Sequence, residues 1–150
     1  WGSWHPSPVT MPTSNINALH TSLMALLEAG LETRFAEYRA AAAATRAGLR
    51  ALEFPMFAPD ACASPLVTAF CMRPGVDAND LQQALVRDSG VMISGGLTDL
   101  HGKILRVGHI GLARQRDYVV SFLLGVEDYL RKQGLAVAPG QSLIAVAQLK

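Results

Sequence analysis

Between Pro12 and Gly30, apolar residues fall at Ile16, Leu19, Leu23, Leu26 and Leu27, the three- and four-residue steps of one helix face. Thr13, Ser14 and Asn15 offer N-cap oxygens ahead of it, and Ala29-Gly30 predicts a bend or break. From Leu31 the stripe resumes through Phe35, Tyr38, Ala42, Thr45, Leu49 and Leu52, with Glu32, Arg34, Glu37, Arg39, Arg46 and Arg50 forming a solvated side. Two more helices follow the same logic. Asp77 opens one whose buried side is Leu81, Ala84 and Leu85 and whose stop is Ser89-Gly90; the other runs near Arg114 to Lys132 with Val119, Phe122, Leu123, Val126 and Leu130 inward and Gly134 as its stop.

The strand pattern is shorter. Leu66 to Met72 is apolar on both faces and predicts a central strand; Val91 to Ser94 predicts a short one, and Glu53 to Phe57 a candidate weakened by Pro55. Ile104 to Ile110 is a mostly apolar run bounded by Gly102 and Gly111. The tail from Leu135, broken by Pro139-Gly140, suits either an added strand or a docking extension. Together these elements predict an α+β module: a long bent helix, then a three- to four-stranded, mainly antiparallel sheet with helices on one face.

Composition narrows the function classes. Half of the 150 residues are hydrophobic and the net charge is +1, which argues against disorder and against an electrostatic nucleic-acid surface. No apolar run approaches a membrane span, and the opening residues have no basic leader, so a soluble, cytoplasmic protein is expected. Cys62 and Cys71 form neither a disulfide framework nor a metal-ligand spacing and suit a reducing compartment. The chain opens on Trp1 rather than Met, and its first residues, with Pro6, Pro8 and Pro12, read as mid-chain loop, so part of a longer reading frame is expected.

Conventional catalytic motifs are lacking: no nucleophile elbow, metal-ligand cluster or P-loop is legible. Lys103, Lys132 and Lys150 all fall where solvent is expected, unlike a Schiff-base lysine, which needs an occluded site. Arg106 stands out. On a strand it shares a face with Ile104, Gly108 and Ile110, so its permanent charge needs an anion or a route to water. The residues alone leave open a structural salt bridge, a snorkelling side chain or a clamp for a ligand carboxylate. His109 lies on the opposite face as a packed histidine, His20 and His101 read as structural or solvated, and Gly95-Gly96 as a tight turn.

The run from Gly95 to Gly111, "GGLTDLHGKILRVGHIG", resembles the C-terminal signature of class V aminotransferases, the alanine–glyoxylate and serine–pyruvate branch of fold-type I pyridoxal-phosphate enzymes. "SPVTMPTSNINAL" and "LLEAGLETRFAEYR" resemble the same family's entry into its small domain, in the same order, so the similarity covers nearly the whole chain. The resemblance implies the end of the large domain and an interdomain helix over residues 1–29, the small C-terminal domain over 30–134, and a tail over 135–150. It implies the cofactor pyridoxal 5'-phosphate, small amino-acid and keto-acid substrates such as alanine or serine with glyoxylate or pyruvate, and a homodimer formed through the large domain and the N-terminal segment.

Residue by residue, Arg106 matches the arginine that grips the substrate carboxylate, Gly95 and Gly96 a loop whose backbone passes close to the substrate, and Thr10 a threonine reaching the cofactor phosphate of the neighbouring subunit. Some members carry a tyrosine where Ser7 stands, a departure that His5 could offset; Trp1 and Trp4 read as large-domain or interface anchors. The Schiff-base lysine and the aspartate that pairs with the pyridine nitrogen lie in the family's large domain, upstream of this chain, so no catalytic residue is expected here. Two alternatives accompany this reading. One is a desulfurase or lyase of the same superfamily, for which Cys62 is the residue to check, and the other is a non-catalytic carboxylate-binding or interaction module.

Overall fold

The computed structural model describes residues 10–149, and the sequence expectations for Trp1, Trp4, His5, Ser7 and Lys150 lie outside them. The chain divides into two compact units, one ending at Phe35 and the other beginning at Ala36.

The first unit is helical. Helix α1 (Thr13–Ala29) ends at Gly30, whose φ of 82° turns the chain before α2 (Leu31–Ala51) begins, at the predicted break. The predicted cap is not seen: Pro12 occupies the N-cap position with no side-chain cap bond, because the helix starts at Thr13 itself and Thr13, Ser14 and Asn15 lie inside its first turn. None of the residues of α1 is fully buried.

The second unit is α+β. Sheet order is β1 (Val67–Cys71), β3 (Ile104–Gly108), β2 (Ser94–Gly95), all antiparallel, so β3 is the central strand. The expectation of a central Leu66–Met72 strand is thereby corrected: among the described residues β1 pairs with one strand, β3. Its far edge is covered instead by Pro55–Phe57, through a Met56–Phe70 bridge, Phe57 N–H donating to the Ala69 carbonyl (3.0 Å) and Cys71 N–H to that of Pro55 (2.7 Å). Pro55 has no N–H to give, so this flank stays a single bridge while still hiding the strand.

Thr68 and Phe70, cross-strand from Val107 and Leu105, form the sheet's inner face, against which α2, α3 (Ala78–Ser89) and α4 (Arg116–Lys132) pack. Phe54, Phe70 and Phe122 stack edge to face there, with centroids 5.3 and 6.3 Å apart. The helices approach closely: a Cβ on Gly48 would sit 2.5 Å from Leu123, and one on Gly125 2.6 Å from Ser89 Oγ. Helix α3 carries its predicted caps, the Asp77 carboxylate accepting from the Asn79 and Asp80 N–H groups and Gly90 closing in the left-handed conformation.

The tail is neither a strand nor a free extension. It forms α5 (Gln141–Ala147), tied to α4 by Glu127, which is fully buried and accepts from Gly140 N (2.8 Å), Ser142 N (2.7 Å) and Ser142 Oγ (2.5 Å). Leu143 and Val146 then pack on the core. Among the described residues, no helix is long and apolar enough to cross a membrane.

Candidate functional site

Arg106 sits mid-way along β3, between Ala69 of β1 and Ser94 of β2, on the sheet face opposite the core. The sequence places an anion or solvent beside it. The structure meets its charge with a backbone carbonyl: Nε donates to Gly95 O at 2.9 Å, and no carboxylate among the described residues pairs with it. The guanidinium is half-buried, while its two Nη groups have no hydrogen-bond partner among the described residues and are not sealed from solvent. A guanidinium anchored through Nε presents both Nη groups as a fork, the geometry that suits a carboxylate.

The Gly95–Gly96 turn comes together with Arg106 through that bond, and its two glycines have different reasons. A Cβ on Gly96 would fall 2.1 Å from the Leu100 carbonyl oxygen and 3.0 Å from Ile104 Cγ1, so the backbone crossing at this point admits no side chain. Gly95 has room: the nearest atom to a Cβ there is Gln82 Oε1 at 3.8 Å. Gly96 N–H donates to Ile104 O (3.0 Å), and a 3-10 turn at Thr98–Leu100 carries the chain back to β3 with Thr98 at φ 49°, an uncommon conformation for a β-branched residue.

Thr10 is an exposed residue just ahead of α1, in the first unit. Lys103 is exposed, and Lys132 is exposed and paired with Asp88 at 2.8 Å. Neither has the occluded setting of a Schiff-base lysine. Cys62 is exposed in a short 3-10 turn, its thiol facing Pro59 O at 3.5 Å; it lines a shallow groove with Ala69, the cross-strand neighbour of Arg106. Cys71 is half-buried on β1. Among the described residues, no group of three His, Cys, Asp or Glu side chains is arranged to hold a metal ion.

His109 is fully buried on the core side, as its alternation predicts, with Nε2 2.9 Å from Thr68 Oγ1. Burial, reinforced by the nearby Arg46 charge, pushes its pKa down to about 4, so it is neutral at physiological pH. Three groups went unnoticed in the sequence. They are Glu127, the Arg114–Glu37 ion pair (2.7 Å), and Gln82, whose amide donates to the Ile93 carbonyl at 2.5 Å beside the Arg106 turn. A glutamate in the Leu123–Val126–Leu130 stripe of α4 was the legible signal for the first.

No protein-family model matches the chain. It is 36% identical over 140 residues to the soluble hydrogenase 42 kDa subunit of Anabaena cylindrica, covering 88% of this chain and 36% of that protein. It is 31% identical over 145 residues to the (S)-ureidoglycine–glyoxylate transaminase of Bacillus subtilis, covering 97% and 35%. The crystal structure of the pyridoxamine–pyruvate aminotransferase of Mesorhizobium loti superposes with a TM-score of 0.88 at 33% identity over 95% of this chain and 37% of that one. The chain spans about a third of the length of the curated relatives it matches.

Proposed function

We propose that this chain, whose homologues are class V aminotransferases and whose fold is their C-terminal domain, is the substrate-carboxylate-binding part of a pyridoxal-phosphate-dependent aminotransferase. The observation that carries the reading is Arg106: anchored at Nε by Gly95 O, paired with no carboxylate among the described residues, and half-open toward solvent. A structural ion-pair arginine would have its partner; this one keeps its fork for a ligand.

When bound, pyridoxal phosphate acts as the electron sink for reactions at the amino acid's Cα. This chain's contribution is orientation. A two-point contact between Arg106 and the α-carboxylate would fix where that group lies about the Cα–N bond, and with it which of the remaining bonds at Cα is aligned to break. Holding the amino donor and the keto acceptor by the same carboxylate lets one site serve both halves of a transamination. Gly96 keeps the turn close to the Leu100 backbone, and Gly95 supplies the carbonyl that aims Arg106. Thr10, whose exposed hydroxyl makes no hydrogen bond among the described residues, suits the phosphate contact to a neighbouring subunit in a homodimer. The substrates in this reading are a small amino acid of the alanine or serine type and glyoxylate or pyruvate, and the setting is the cytoplasm.

The desulfurase alternative keeps one specific observation, the exposed Cys62 in a groove that reaches Ala69. The test is an assay of the longer protein carrying this chain, supplied with alanine or serine and with glyoxylate or pyruvate, following keto-acid and amino-acid products. Amino-group transfer that survives Cys62→Ser supports the aminotransferase. Alanine formed from cysteine, with sulfide released from the resulting persulfide by an added thiol reductant, that Cys62→Ser abolishes, without transamination, overturns it.

A further inference from the structure

Strand β2 is two residues long and hydrogen-bonds to a strand on one side only, yet it carries the carbonyl that aims Arg106. Such a stub has little stability of its own. What holds its outer side is a side chain from α3: Gln82 Nε2 donates to the carbonyl of Ile93, the residue before β2, at 2.5 Å. The other end of the same amide, Oε1, lies 3.8 Å from the position a Gly95 Cβ would take. The Gln82 amide therefore lies along the back of β2 from Ile93 to Gly95.

Its mount is rigid. Leu81 and Leu85, on either side of Gln82 along the helix, are buried, and α3 is closed at both ends by the Asp77 and Gly90 caps. We infer that Gln82 is a positioning residue: through Ile93 and β2 it fixes the Gly95 carbonyl, and through that carbonyl the direction in which Arg106 presents its Nη groups. The inference rests on the carboxylate-clamp reading for its consequence in catalysis, whereas the mechanical link from Gln82 to Arg106 stands on geometry alone.

Gln82→Met keeps the length of the side chain and removes the donor. In the longer protein it should raise KM for the amino and keto acids about 3- to 10-fold with little change in cofactor affinity, less than loss of Arg106 itself, because the clamp is loosened rather than removed. In the 15N-labelled longer protein, the Arg106 Nε–H, bonded to Gly95 O in the parent, should exchange with solvent faster in the variant than in the parent. Gln82→Glu, similar in shape and also without the donor, provides the same readouts should Gln82→Met fold poorly. Raised KM together with lost Nε–H protection supports the inference. Unchanged Nε–H protection overturns it, whatever Arg106 does. A KM raised by Arg106→Gln but not by Gln82→Met overturns it while leaving the clamp in place, and a KM insensitive to Arg106→Gln overturns the clamp and the catalytic half of the inference together.

Discussion

Gly95 and Gly96 are neighbours in sequence, and alanine at each should behave oppositely. At Gly96 the new methyl would lie 2.1 Å from Leu100 O and 2.5 Å from Leu100 C, more than an ångström inside an ordinary contact, against backbone rather than a mobile side chain. The two segments cannot simply part. Gly96 N–H is bound to Ile104 O, and Leu100 O accepts from Lys103 N–H at 3.1 Å, so relief breaks one of these bonds or unwinds the Thr98–Leu100 turn. Overpacking costs about 1–3 kcal/mol and a lost buried hydrogen bond about 1 more. Gly96→Ala should therefore destabilise the chain by about 2–4 kcal/mol.

At Gly95 the methyl meets nothing nearer than 3.8 Å, and Gly95→Ala should fall within about 0.5 kcal/mol of the parent, since loss of unfolded-chain entropy favours the alanine. Equilibrium urea unfolding of both variants reads the difference as a shift in midpoint at constant slope. Equal midpoints, or a larger loss at Gly95, would refute the assignment of Gly96 as the steric pinch. Activity adds an independent axis. If the Gly95 backbone passes close to bound substrate, Gly95→Ala keeps its fold and loses turnover.

Two further outcomes follow from buried polar groups. Glu127→Ala leaves three donors of the Gly140–Ser142 segment without their acceptor, at about 1–3 kcal/mol for each that stays buried, so a loss of about 3–5 kcal/mol in urea unfolding, with α5 amides losing exchange protection first, is expected. His109 binds its proton with a pKa of about 4 when folded against 6.5 when unfolded, so the unfolded chain takes up more protons between these values and stability should fall as pH drops from about 6.5 to about 4. The unfolding midpoint of His109→Gln should lose that part of the slope between pH 6.5 and 5, and an unchanged slope would show that His109 is not the group responsible.

Much of the fold is legible because single residues announce it. Asp77 and Gly90 bracket α3, the Val119-to-Leu130 stripe defines α4, and Gly30 breaks the long helix where its stripe is interrupted. Apart from the α1 cap, the errors share a cause: backbone partners have no sequence signature. Leu66–Met72 reads as central because it is hidden on both sides, but one side is closed by Pro55–Phe57 rather than by a full strand. Pro139-Gly140 suggests a broken tail, whereas Gly140 in the left-handed conformation is the entry to α5, and the buried Glu127 that holds it lies on another helix. Arg106 is legible as a charge on an apolar face, and what meets it, a glycine carbonyl, could not be named from residue types.

The central claim is that Arg106 is kept for a substrate carboxylate, and substrate discrimination tests it most directly. In the longer protein, turnover of alanine is compared with that of alaninamide, in which an NH2 group replaces one carboxylate oxygen and removes the negative charge, in the parent and in Arg106→Gln. A charge-assisted two-point contact contributes about 3 kcal/mol, equivalent to roughly 100-fold. The parent should prefer alanine by about that factor in kcat/KM, and Arg106→Gln should lose the preference through alanine alone while retaining its cofactor. An equal preference in both proteins would contradict the account.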